Sequence, residues 1–122
     1  MSASAAVHTV TDASFAAATA PGTGLVAVDF SAKWCPPCRV MEPIVEEAAT
    51  QFAGTIRFLS MDTDAEPATM VRYGVRGLPT ILVFRDGELV DRILGAMAKA
   101  ALIERLGRIA GSWGTKRSEA AD

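Results

Sequence analysis

Hydrophobic spacing switches between two periods along this chain of 122 residues, and each switch marks an element. Residues 7–10 form a short strand. The run Leu25-Val26-Ala27-Val28-Asp29-Phe30 opens a longer strand, 25–31, whose apolar continuity predicts burial on both faces. Helical spacing takes over from near residue 35 to residue 52. There Met41, Ile44, Val45, Ala48 and Phe52 share one face, while Glu46 and Glu47 fall on the other. Pro43 lies inside this helix and lacks the N–H that would bond the carbonyl of Arg39, so a kink is expected there. Further strands are predicted over 55–61, 81–84 and 88–94. Asp86-Gly87 between the last two is a hairpin signal. Helices are predicted over 12–19, capped by Thr11 or Asp12, over 65–72, and over 98–111. In the last of these, Leu102, Leu106, Ile109 and Trp113 line one face. The order β-α-β-α-β-α-β-β-α gives parallel strands through helical crossovers, then an antiparallel hairpin at one side. A mixed sheet with helices on both faces follows. Residues 7–113 form one domain, between a flexible N-terminus at 1–6 and a flexible tail at 114–122.

Composition narrows the function classes. Half of the chain is hydrophobic, enough for one core. The net charge of −2 and the scattered basic residues, with only Lys116-Arg117 adjacent in the tail, argue against nucleic-acid binding. The first residues lack a basic, then apolar, leader, and no apolar run is long enough to span a bilayer. The expected location is cytoplasmic. In reducing cytosol a lone pair of cysteines points to catalysis or metal binding rather than to a structural disulfide.

Both cysteines lie in Trp34-Cys35-Pro36-Pro37-Cys38, between the strand 25–31 and the helix that follows. A cysteine at a helix start meets the positive end of the macrodipole and the free N–H groups of the first turn. Both favour the thiolate, the species that attacks disulfides. By position Cys35 is the nucleophile and the more exposed sulfur, and Cys38, one turn in, is the shielded resolving thiol. Two cysteines and the distant His8 fall short of the four ligands of a zinc site, and no metal is expected. Pro36 and Pro37 fix the backbone but remove donors to the Cys35 sulfur. These effects oppose each other, and a tolerated helix start is the plainer reading. Asp29 is a carboxylate within an apolar strand. Desolvation there would raise its pKa and suit it to accept the proton of Cys38; an exposed strand-end residue is the alternative. Trp34 reads as core or surface, with its place beside Cys35 favouring the surface. His8 and Arg76 receive no role.

Taken together, Val28-Asp29-Phe30, the Trp-Cys-x-Pro-Cys motif, Pro43, Tyr73-Gly74-Val75-Arg76-Gly77-Leu78-Pro79-Thr80, Asp86-Gly87 and Gly95-Ala96 resemble the thioredoxin family. The likeness covers about residues 7–113. It implies the thioredoxin fold, a central mixed five-stranded sheet flanked by four helices. It also implies a protein disulfide reductase with no bound cofactor, recharged with NADPH electrons by a thioredoxin reductase. The other partners would be disulfide-containing substrate proteins, and the state a monomer. By the same resemblance Pro79 is cis, where sequence alone favours trans. Trp34, Gly77, Leu78, Gly95 and Ala96 would surround the dithiol as a docking surface. Three departures stand out: Pro36 replaces a usual glycine, Ser31 a common aromatic residue, and Ser60 a frequent lysine. A scaffold subunit, or a specialised thiol oxidant or exchange partner, is the competing expectation.

Overall fold

A computed structural model describes residues 6–121, and the side chains of residues 6–112. In chain order the elements are β1 (Val7–Thr9), α1 (Phe15–Ala18), β2 (Leu25–Ser31), α2 (Pro36–Gln51), β3 (Ile56–Asp62), α3 (Pro67–Arg72), β4 (Thr80–Arg85), β5 (Glu88–Leu94) and α4 (Lys99–Ala121). The sheet has five strands in the order β1-β3-β2-β4-β5. The pairs β1·β3 and β2·β3 are parallel, and β2·β4 and β4·β5 are antiparallel. This is the mixed sheet with four helices that the element order predicts.

Alternation along β2 divides the core. Leu25 and Ala27 face Met41, Val45 and Ala48 of α2 and Leu102 and Leu106 of α4. Val26, Val28 and Phe30 face the other way, toward Phe15 of α1 and Val75. On that second side Phe15, Phe30, Tyr73 and Phe84 form a ring cluster with centroids 5.4–6.4 Å apart. With a side-chain period of two, Asp29 continues the row of Leu25 and Ala27. The strand thereby carries a carboxylate to the α2 side of the sheet.

The β4–β5 turn shows why Asp-Gly stands there. Asp86 and Gly87 have φ of 52° and 93°, the left-handed pair that a two-residue hairpin needs. A Cβ on Gly87 would sit 2.9 Å from the backbone nitrogen of Pro21. Asp86 N–H donates to the Gly24 carbonyl at 2.7 Å, and the Gly22 N–H donates to the Asp86 carboxylate.

Two helices differ from expectation. α1 starts at Phe15 rather than near residue 12, because Thr11 and Ser14 bond each other's backbone N–H through their hydroxyls, at 2.9 and 3.1 Å, in a turn before it. Asp12 caps a different helix. Its carboxylate accepts from the N–H groups of Ala68 and Thr69 at 3.1 and 2.8 Å, at the start of α3, and from the Thr69 hydroxyl at 2.6 Å. In return Glu66 accepts from the Asp12 N–H at 2.8 Å. A capping box is thus assembled from two distant segments. α4 runs on to Ala121, past residue 111 and through the stretch expected as a flexible tail. Gly111 lies within it rather than ending it, and no proline follows to stop propagation. The expected placement of Trp113 on the apolar face concerns a side chain outside the described ones, and residues 1–5 of the expected flexible N-terminus also lie outside them.

Candidate active site

Three segments converge where β2 gives way to α2. Cys35 is the N-cap of α2, with extended backbone, and its Sγ accepts from the Cys38 N–H at 3.3 Å. Pro36 and Pro37 occupy the next two positions without an N–H, so Cys38 supplies the first donor that α2 offers. Cys35 and Cys38 are joined as a disulfide with their Cα atoms 5.3 Å apart. Both residues are buried, Cys35 at 3% exposure and Cys38 at 6%. In this oxidised state Cys35, expected as the more exposed of the two, is a buried residue, no more exposed than Cys38. As N-cap, Cys35 folds back over the helix start, and Ala32 and Leu78 pack with the pair.

Asp29 is 9% exposed, and among the described residues its Oδ1 has no hydrogen-bond partner. Burial pushes its pKa up to about 7, and the charge of Glu42 adds to the rise. Asp29 and Cys38 line one groove of about 670 Å³, together with Glu42, Glu46, Ser60 and Asp62. Ser60 is the register partner of Asp29 on β3, so the neighbouring strand sets a hydroxyl residue, not a cation, beside the carboxylate.

Opposite the helix start, the Leu78–Pro79 peptide is cis. The Thr80 hydroxyl donates to the Gly77 carbonyl at 2.7 Å, and the Gly95 N–H donates to the Pro79 carbonyl at 2.8 Å. The second bond ties the loop after β5 to the loop before β4. Leu78 packs against the dithiol, while Gly77, Gly95 and Ala96 are exposed. Among the described residues nothing lies within 4 Å of where a Cβ on Gly77 or Gly95 would sit, so the surface there is open. Trp34 is 65% exposed, a surface residue, and its indole N–H donates to Asp64 at 3.2 Å.

The family model for thioredoxin matches residues 6–108. The chain belongs to the thioredoxin family. It is 46% identical over 81 residues to the chloroplastic M-type thioredoxin of Pisum sativum, an overlap of 66% of this chain and 47% of that protein. With thioredoxin 1 of Synechococcus elongatus it shares 39% identity over 97 residues, 80% of this chain and 91% of the relative. Thioredoxin M2 of Arabidopsis thaliana, also chloroplastic, is 40% identical over 100 residues, 82% of this chain and 54% of that protein. The chain thus spans about half the length of the two plant proteins and nearly all of the cyanobacterial one. Within the thioredoxin family frame, thiol–disulfide exchange is the chemistry this cysteine pair supports.

Four neighbours of the site escape a reading of the sequence. Glu46 lines the groove and is half-buried, rather than facing away; Glu47 is the exposed one, and pairs with Lys99 at 3.1 Å. Glu42 follows Cys38 by four residues, and that spacing was its available signal. Leu94 is 71% exposed beside Gly95; alternation from buried Ile93 on β5 pointed outward there. Asp64, the partner of Trp34, carried no local signal.

Proposed function

We propose that the chain is a protein disulfide reductase working through Cys35 and Cys38. The Cys35 thiolate attacks a substrate disulfide, forming a mixed disulfide and expelling one substrate thiolate. Cys38 gives its proton to Asp29 and attacks Cys35 Sγ. The Cys35–Cys38 bond forms as the Cys35–substrate bond breaks, so the substrate leaves with two electrons and the chain becomes oxidised. A thioredoxin reductase then restores the dithiol with electrons from NADPH.

The observation that carries this reading is a cysteine pair, joined as a disulfide at a helix N-cap, with a buried, raised-pKa carboxylate in the same groove. Trp34, Gly77, Leu78, Gly95 and Ala96 would receive the substrate chain, with Pro79 between them and Pro36 and Pro37 shaping the helix start. Among the described residues no helix is long and apolar enough to cross a membrane. A monomer in the reducing cytoplasm is the setting proposed here, while the names of the plant relatives place those proteins in chloroplasts.

The test is NADPH-coupled reduction of a disulfide-bonded protein by the chain and a thioredoxin reductase. Wild type should turn over, and Cys35→Ser should be inactive. Cys38→Ser should stall as a covalent mixed disulfide visible by mass spectrometry. Turnover in Cys35→Ser, or no trapped adduct in Cys38→Ser, would refute the assignment.

A further inference from the structure

The groove beside Cys38 holds more acid than one proton acceptor requires. Asp29 lies at its floor on β2, and every element around it adds its own groups. From α2 come Cys38, Arg39, Glu42 and Glu46; from β3, Ser60 and Asp62; from the loop after β2, Lys33; from β1, Val7 and Thr9. On the remaining side the β4 partner is apolar Ile81.

The two cations do not neutralise Asp29 in this geometry. Arg39 donates through Nε and Nη2 to the Lys33 carbonyl, at 3.1 and 2.9 Å, and the Lys33 side chain is exposed. Of the other acids, Asp62 accepts the Asp64 N–H at 3.0 Å within its own turn. Glu46 lies two helical turns beyond Cys38. Glu42 lies one turn beyond, on the stripe of α2 that carries Cys38 over the groove.

We propose that Glu42 is a positioning residue for the resolving step, its negative charge strengthening Asp29 as the base that takes the Cys38 proton at neutral pH. This rests on the reductase reading above and concerns the same site. An ordinary aspartate is a weak base toward a thiol, because the two pKa values lie roughly four to five units apart. Desolvation closes part of that gap, and a second carboxylate across the groove closes more. The charge of Glu42 is the one electrostatic contribution that reinforces burial in raising Asp29. The proton leaves Cys38 Sγ, rests on Asp29 while the Cys38–Cys35 bond forms, and returns to solvent at the mouth of the groove, where Glu42 is exposed. The departing substrate thiolate takes its proton from solvent, which closes the balance.

The test follows the carboxyl carbon of Asp29 by NMR across pH in the oxidised full-length chain. The variants are Glu42→Gln, Glu42→Lys and Glu42→Asp, all at an exposed position that keeps the fold. Asp29 should titrate at lower pH in Glu42→Gln, lower again in Glu42→Lys, and close to wild type in Glu42→Asp, which keeps the charge. The pH profile of mixed-disulfide resolution should move in the same direction as the Asp29 titration. An Asp29 midpoint unchanged in both Glu42→Gln and Glu42→Lys overturns the proposal. Because the titration is read without turnover, it stays separate from the reductase reading, which fails instead if Cys35→Ser remains active.

Discussion

Asp29 is the residue whose environment has the widest consequences. Its folded pKa, near 7, lies well above the ordinary 3.8 of an aspartate. A raised folded value means that the native state holds the proton more tightly than the unfolded chain. The favourable contribution is complete below pH 3.8 and is lost as pH rises through 7. Asp29→Asn should therefore be more stable than wild type at pH 8, by up to roughly 4 kcal/mol at 1.36 kcal/mol per pKa unit, with the gap closing toward pH 4. Urea melts at the two pH values check this, and equal stability at pH 8 would mean that the carboxylate is not buried as described. The same substitution should slow mixed-disulfide resolution on the order of 10²-fold at neutral pH, read by stopped flow. A variant that is stabilised yet slow is the signature of a group kept for chemistry rather than for folding.

At the scale of elements, α3 is the helix that depends on a remote cap. It has six residues, too few to stand alone, and its own N-cap Glu66 makes no side-chain cap bond. Asp12 supplies that bond from 56 residues before Ala68 in the chain. The hydrogen bond from the Thr69 hydroxyl leads the contacts that lower its pKa. A lowered folded value stabilises above the ordinary carboxylate pKa and is lost as pH falls through the folded one. Asp12→Ala should destabilise the chain at pH 7, with a difference that narrows in acid, and should raise hydrogen exchange at Ala68 and Thr69 first. Exchange unchanged at those amides would remove the cap from the description of α3. This cap also shows where sequence reasoning stops. Strand and helix positions were legible because buried and exposed residues alternate at fixed periods, as in β2 and α2. Thr11 or Asp12 is the local cap that the sequence suggests, because such residues before a helix commonly cap it; only tertiary pairing sends Asp12 to α3. Likewise the dithiol, Asp29 and the glycine–proline loop were legible as a motif. The burial of Cys35 and the placing of Glu42 and Glu46 along the groove depend on how α2 is rolled against the sheet.

For the whole molecule, the question is in which direction the dithiol drives electrons. An oxidant of this chemistry needs its reduced form stabilised, which means several donors on the nucleophilic thiolate. Here Pro36 and Pro37 remove two N–H groups from the start of α2, and the bond to Cys35 Sγ comes from Cys38 N–H at 3.3 Å. Fewer donors at the helix start would leave the Cys35 thiolate less stabilised once the disulfide is reduced, and the reductase proposed above relies on that side of the balance. Trp34, Leu94, Gly95 and Ala96 are each exposed, and in the function proposed above the substrate chain approaches over Trp34, Gly95 and Ala96. The most direct measurement is the reduction potential of Cys35–Cys38, by equilibration in glutathione or dithiothreitol buffers with thiol trapping. A reductase should give roughly −250 mV or lower, while a value near or above about −200 mV would make the pair an oxidant or exchange partner and contradict the function proposed for it.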